Sequence, residues 1–414
     1  MSKKNEHKPN VPELRFPEFS GEWEEKRLGD YAYIKGRLGW KGLKQEEYVE
    51  SGYAHLIASK HIKNGYIMWS STDQINEFRY KESLEIGLEE NDIIFSKDGS
   101  LGNPAIIKEM PKPATINSTM MLVRLDKELV SPYFFYQILL SNQFQRLIHL
   151  KVSGSSIPHL FQADMKQFQF FSPSLREQKK IGEFFSKIDR QIELEEKKLA
   201  LLEEQKKGYM QKLFSQELRF KDENGNEYPK WEEKKLSELL RRRDQRQIPS
   251  DNAPLMAFTS TGGIEPKGKR YNREFLVKDA NKKYKKTMMD DLIYSSNNLD
   301  VGAIGRNRYG TAVISDVYEV FFLKTSNSAL FFGYFITDKR FINKILKYRQ
   351  GALYGQYRIH ANDFMNTEVL IPLLKEQCKI GNFLQKLDLL KEKSNEKVRL
   401  LKLRKRQFLY ELFI

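Results

Sequence analysis

The chain has 414 residues, 40% of them hydrophobic and 12% aromatic, which suits roughly two to four folded domains and excludes a disordered chain. Lys and Arg number 70 against 55 Asp and Glu, a formal net charge of +15. That excess favours a polyanionic partner, because each neutralised phosphate releases condensed counterions; charge alone leaves open a basic protein with no nucleic-acid role. The single cysteine, Cys378, excludes an intramolecular disulfide and a cysteine-based zinc site, and fits a reducing compartment.

Residues 1–11 are polar and lysine-rich with no apolar core, so they read as a disordered tail rather than a signal peptide. Leu14-Arg15-Phe16 follows, then Trp23-Glu24-Glu25-Lys26 and Leu28. Residues 12–172 read as a first mixed α/β domain. Within it Ile93-Ile94-Phe95 and Thr119 to Leu125 are predicted strands, separated by Gly/Asn/Asp/Ser clusters such as Ser96 to Asn103. A helix is predicted from Pro132 to about Leu150, with Ser131 as N-cap.

A proline-free helix is predicted over 175–214, within a segment of 173–215. Phe185, Ile188, Ile192, Leu199, Leu202, Tyr209 and Leu213 recur mostly at spacings of three and four, with polar breaks at Glu195 and Lys206. About 40 residues at 1.5 Å rise give a rod of about 60 Å.

The remainder repeats the first half at a period of about 200 residues. Leu218-Arg219-Phe220 precedes Trp231-Glu232-Glu233-Lys234 and Leu236. Asp92-Ile-Ile-Phe-Ser96 returns as Asp291-Leu-Ile-Tyr-Ser295. Pro173-Ser-Leu-Arg-Glu-Gln-Lys-Lys-Ile-Gly-Glu-Phe-Phe-Ser-Lys-Ile-Asp189 returns as Pro372-Leu-Leu-Lys-Glu-Gln-Cys-Lys-Ile-Gly-Asn-Phe-Leu-Gln-Lys-Leu-Asp388. The second α/β domain spans 216–371, with predicted strands at Leu292-Ile293-Tyr294, Thr311 to Ile314 and Tyr318 to Lys324, and a helix from Leu330 to about Tyr348. A second long helix is predicted over 374–413, within 372–414, with Leu384, Leu387, Val398, Leu401, Phe408 and Leu412 on its seam and breaks at Lys391, Ser394 and Lys405. Two matched stripes are expected to pack on each other, antiparallel if the halves are related by a pseudo-two-fold axis; each folding back on its own domain is the alternative. Residues 35–85 and 241–285 share almost nothing that aligns, so one frame carries two different surfaces.

Turn-like segments mixing basic, small polar and aromatic residues recur in both halves, and that recurrence points to nucleic acid. The candidate DNA contacts in the first half are Lys35, Arg37, Lys41, Lys60, Lys97, Ser155 and Ser156. Those in the second half are Lys269, Arg270, Asn297, Arg306, Arg308, Gln356 and Arg358. Taken singly, each such loop also reads as a solvated turn.

Catalytic patterns are missing. There is no phosphate-binding Gly-x-x-x-x-Gly-Lys-Ser/Thr loop, no dinucleotide fingerprint and no Asn-Pro-Pro-Tyr run for a flipped adenine. The six histidines lack metal-ligand spacing. Asp92 with Ser96-Lys97-Asp98 can be forced into a nuclease pattern, but its second copy, Asp291, is followed by Tyr294-Ser295-Ser296 with no lysine. The longest apolar stretches, Tyr133 to Leu140 and Ala329 to Ile336, fall short of the roughly 20 residues of a membrane span, so a cytoplasmic protein away from membranes is expected.

The arrangement resembles the specificity subunit of a type I restriction-modification system. The resemblance runs from Pro12 to Ile414. It rests on Trp23 with Leu28, Trp231 with Leu236, and the Pro-x-Leu-x-Glu-Gln-x-x-Ile-Gly run at Pro173 to Gly182 and Pro372 to Gly381. Gly154-Ser155-Ser156-Ile157-Pro158 is similar to the family's Gly-Ser-x-Ile-Pro loop; the second half has Gly351-Ala352-Leu353-Tyr354-Gly355 there. The resemblance implies an α+β protein: two α/β target recognition domains related by an internal repeat, each followed by a long helix, the helices packed as an antiparallel coiled coil. It implies that each domain reads half of a split double-stranded DNA target. The helices would set the gap and dock two methyltransferase subunits, which carry S-adenosylmethionine. Restriction subunits would bring ATP and Mg²⁺. No cofactor or metal is expected in this chain. Two other classes stay open: a stand-alone nuclease, which cuts DNA with Mg²⁺, and a coiled-coil adaptor, whose binding ignores DNA.

Overall fold

Two aromatic-rich cores form around the repeated tryptophans. The computed structural model describes residues 10–37, 43–153, 158–259, 263–266, 281–296, 299, 303–324, 327–348, 350–353 and 356–413. The chain divides into two units: Met1–Glu196 with Glu396–Ile414, and Lys197–Asn395. Each long helix is therefore shared between units.

In the first unit a four-stranded antiparallel sheet runs in the order Ala32–Gly36, Met120–Leu125, Ile93–Ser96, Gly102–Ile106. The second unit repeats that order with Leu240–Arg242, Tyr318–Leu323, Leu292–Ser295 and Ile304–Arg306. The central strands are apolar at most positions because both faces are covered, with Arg124 and Glu319 the charged exceptions. Ile93, Phe95, Met121 and Val123 point into one core, and Ile94, Met120 and Leu122 into another. In the second unit Leu292, Tyr294 and Phe321 face one core, Ile293 and Val320 the other. A two-stranded ribbon closes each unit: Glu24–Arg27 with Gln169–Ser172, and Glu232–Lys235 with Glu368–Ile371.

The interiors share one pairing and differ around it: Thr115 lies between parallel Ala54–Ile57 and antiparallel Gly87, as Val313 lies between Leu255, bridged in parallel, and antiparallel Tyr284–Thr287. The first contains Asp73–Ile75, Ala54–Ile57 and Ala114–Ile116, with the last two strands parallel. The second contains Arg246–Gln247, Tyr284–Thr287 and Ala312–Ile314, all antiparallel, and a hairpin of Met256–Thr259 with Gly263–Pro266.

The long helices span Leu175–Phe214 and Leu374–Glu411 and pack antiparallel within each unit. In the first unit Lys405 bonds Asp189 at 2.7 Å, Lys402 bonds Glu196 at 2.6 Å and Lys397 bonds Glu195 at 2.5 Å. In the second, Lys206 bonds Asp388 at 2.5 Å and Lys391 bonds Glu203 at 3.1 Å. The charged breaks in the seam are thus ion pairs across it. Leu412 and Phe413 enter the core of Trp23, Phe134 and Phe185; Leu213 and Phe214 enter that of Trp231 and Phe331.

Each helix predicted to precede a long helix is two helices instead. Pro132–Leu140 and Asn142–Ser153 meet at Ser141, whose extended backbone and Oγ bond to the Ile138 carbonyl end the first. Ala329–Phe335 and Lys339–Leu346 meet before Asp338, which caps the second by accepting from the Arg340 amide. Ser131 is the N-cap residue, but its side chain makes no cap bond.

The repeated Glu-Gln-x-x-Ile-Gly run has a physical reason at each letter. Glu177 accepts two bonds from Arg15, at 2.8 and 2.7 Å; Glu376 accepts two from Arg219, at 3.1 and 2.7 Å. Gln178 accepts from the Ser131 amide and donates to the Pro173 carbonyl, both at 2.9 Å. Gln377 does the same for Ser328 and Pro372. A Cβ on Gly182 would meet Tyr133 Cβ at 2.8 Å, and one on Gly381 would meet Leu330 Cβ at 2.8 Å, so only glycine lets the helices approach this closely.

Candidate nucleic-acid interface

In the first unit, Lys35 lies on Ala32–Gly36 with Nζ 5.8 Å from the Tyr33 ring centre. Arg37 follows and is only 5% exposed. Its Nε donates to the Ile116 carbonyl at 3.4 Å, and its terminal nitrogens find no hydrogen-bond partner among the described residues. Burial lowers its pKa against the opposing charges of Glu82 and Glu85. Lys97 follows Ile93–Ser96 and reaches Asp98 Oδ2 at 3.4 Å. Strand register places Gly36 and Ser96 on either side of Met120 and Met121, so Arg37 and Lys97 leave the sheet at the same end. The Leu160 amide bonds the Lys97 carbonyl at 2.9 Å, which brings His159 onto Asp98 there. Lys60 is exposed in the turn Ser59–His61 and pairs with Asp73 at 3.1 Å. Lys41, Ser155 and Ser156 lie outside the described residues.

The second unit builds the same corner: the Ile359 amide bonds the Ser296 carbonyl at 3.0 Å, which puts exposed Arg358 beside the loop after Leu292–Ser295. Gln356 lies on the strand Gln356–Arg358, paired with Gln350–Leu353. Arg306 and Arg308 are not part of that corner. Arg306 pairs with Leu292, at the opposite end of the strand that Ser295 ends. Lys269, Arg270 and Asn297 lie outside the described residues.

Arg306 Nη1 bonds Asp290 at 3.1 Å, while its buried Nε has no partner. Burial holds its pKa below the ordinary guanidinium value. Arg308 is more exposed, 3.7 Å from Asp388 and 5.9 Å from the Tyr334 ring centre. Burial pushes the Asp388 carboxyl up, but bonds from Lys206 and Tyr334, with the charges of Lys206 and Arg308, bring it below the usual carboxylate value. The sequence reading missed Lys206, Tyr334 and Asp388 as a cluster. The signal was present: Asp388 repeats Asp189, and Lys206 repeats as Lys405.

Asp92 is buried and accepts from Arg124 Nε and Nη2, both at 2.8 Å, and from the Glu89 amide at 2.7 Å. Asp291 does likewise with Arg243 and the Met288 amide. Both carboxylates are turn caps held by arginine. Among the described residues no group of three or more His, Cys, Asp or Glu could hold a metal ion, and no helix is long and apolar enough to cross a membrane.

The duplicated frame with two unlike interiors defines a class. A family model described as the type I restriction modification DNA specificity domain matches residues 20–204 and again residues 228–400, so the two units are DNA specificity domains. The chain belongs to the type I restriction-modification specificity-subunit family. It is 26% identical over 97% of its length to the type I restriction enzyme MjaVIII specificity subunit of Methanocaldococcus jannaschii, covering 94% of that protein. It is 28% identical over 50% of its length to the putative MjaX specificity subunit of the same organism, covering 48% of that protein. Its fold is similar to the type I restriction-modification S subunit from M. genitalium, with a TM-score of 0.61 and 16% identity over 98% of this chain and 99% of that one. A chain from a structure on complex assembly and conformational transition of the type I R-M system gives a TM-score of 0.51 at 17% identity, over 94% of this chain and 96% of that one.

Proposed function

We propose that this protein reads a split double-stranded DNA target, one half with each unit, and leaves all chemistry to other chains. The observation that carries this reading is the repeated sheet order around unlike interiors: the same four-stranded scaffold presents different loops in each unit. The corner holding Arg37 and Lys97 in the first unit, and Arg358 in the second, is the proposed contact surface. Lys35 and Lys60 in the first unit and Gln356 in the second are further proposed contacts, as are Lys41, Ser155, Ser156, Lys269, Arg270 and Asn297, which lie outside the described residues. Arg306 and Arg308 lie at a separate place on the second unit.

The long helices set the gap between half-sites and dock two methyltransferase subunits. Exposed leucines along them support docking, among them Leu194, Leu201, Leu389, Leu390 and Leu403. The methyltransferases bring S-adenosylmethionine and methylate adenine, and restriction subunits bring ATP and Mg²⁺. The single thiol of Cys378 suits a cytoplasmic setting.

The test is binding of duplex DNA across a salt series. A phosphate-contacting reader loses affinity with a log–log slope of about −0.9 per neutralised phosphate. A flat salt response, or DNA cutting by the purified chain with Mg²⁺, would contradict the reading.

A further inference from the structure

The two units differ at one matched place. In the first, Tyr136, Asp189 and Lys405 form a cluster, with Lys405 Nζ 2.7 Å from Asp189 and 5.9 Å from the Tyr136 ring centre. In the second, Tyr334, Asp388 and Lys206 repeat it, with Lys206 Nζ 2.5 Å from Asp388 and 4.8 Å from the Tyr334 ring centre. The first cluster is plugged. The hairpin Ile62–Lys63 with Tyr66–Ile67 lays Gly65 against the Tyr136 hydroxyl, and Tyr66 donates its hydroxyl to the Asp189 carbonyl at 3.0 Å. Asn64 at the tip donates to Glu196 at 3.2 Å. The space left there is about 10 Å³, room for about one water and no larger ligand.

The second cluster opens into a cavity of about 380 Å³. Its polar wall is Lys206, Arg306, Arg308 and Asp388, and its apolar wall includes Phe258 and Tyr334. Among the described residues Asp388 is the single carboxylate of the lining, and it is already engaged. Lys206 takes Oδ1 at 2.5 Å and the Tyr334 hydroxyl takes Oδ2 at 2.7 Å, which leaves Arg308 at 3.7 Å without a close bond to it. Arg306 spends Nη1 on Asp290 at 3.1 Å and keeps a buried Nε with no partner. Gly333 makes room for it, since a Cβ there would meet Arg306 Cδ at 3.0 Å.

We propose that this niche binds a phosphate ester, with Arg306 and Arg308 donating to its oxygens and Phe258 and Tyr334 flanking its organic part. Two guanidinium groups lining a recessed site favour a planar-fork contact with an oxyanion. The volume falls within the range of small-ligand sites and exceeds what one bare anion fills. Burial disfavours the charged Arg306 side chain, and an arriving anion offsets that cost. The ester is either a free nucleotide or a backbone phosphate of bound DNA. Only the second source rests on the DNA-reading function.

The experiment has two arms on the full chain. In the first, adenosine 5′-monophosphate is titrated calorimetrically at fixed ionic strength into the native chain, Arg308→Ala and Arg306→Lys. Saturable binding that weakens about tenfold in Arg308→Ala supports the niche with a free ester as ligand. Arg306→Lys keeps the charge and loses the fork, so it weakens binding too even if Arg308→Ala folds poorly. In the second arm the same variants bind target duplex. A loss of about tenfold, reproduced in the native chain by one neutral methylphosphonate linkage, supports the niche with a backbone phosphate as ligand. No nucleotide binding together with unchanged duplex affinity in both variants overturns the proposal and leaves DNA reading intact. A native chain that binds the nucleotide but no duplex supports the niche and overturns DNA reading.

Discussion

Arg219 and Glu376 show how a few residues carry the frame. Glu376 is fully buried and its partner is 22% exposed, so the carboxylate has no recourse to water. Removing one member of such a pair strands the other, which costs about 3–5 kcal/mol. Arg219→Ala is therefore expected to destabilise the second unit by about 3 kcal/mol in urea unfolding, more than the usual 1 kcal/mol of a point substitution. A loss below 1 kcal/mol would show that the clamp is decorative. Sequence reading located these residues, because Leu-Arg-Phe and Glu-Gln recur together. It did not reveal that one binds the other, because they lie 157 positions apart. The basic loops show the opposite limit. Arg37 and Lys60 look alike in sequence, yet one is buried against Ile116 and the other is exposed beside Asp73. Pattern gives residue type; burial is settled by distant chain.

The elements most legible from sequence were those with strong periodicity or repetition. The long helices appear at Leu175–Phe214 and Leu374–Glu411, within about two residues of expectation. The strands Ile93–Ser96 and Leu292–Ser295 also appear where their apolar runs lie. The paired helices before each long helix were read as one, because Ser141 and Asp338 break the chain without proline or glycine. Polar breaks in the helical seam gain meaning in the same way. Lys405 and Asp189 are 15% and 16% exposed and lie 2.7 Å apart, a partly buried pair suited to fixing register. A double-mutant cycle of Lys405→Met and Asp189→Leu is expected to give a coupling energy of about 1–3 kcal/mol. Additive effects would mean that the apolar seam alone sets register.

At the scale of the whole molecule, duplication made the frame readable and the interiors opaque. Trp23 and Trp231, Asp92 and Asp291, and Gly182 and Gly381 recur because the same packing constraints act twice. Residues 35–85 and 241–285 carry no such echo in sequence. A surface selected for different partners has no reason to repeat. We propose that two unlike readers share one repeated frame. The most direct measurement is mapping of methylated adenines in a genome that carries this gene with its methyltransferase. The account expects a motif of two unlike parts separated by a gap of fixed length. A single uninterrupted motif, or a gap that varies from site to site, would contradict it.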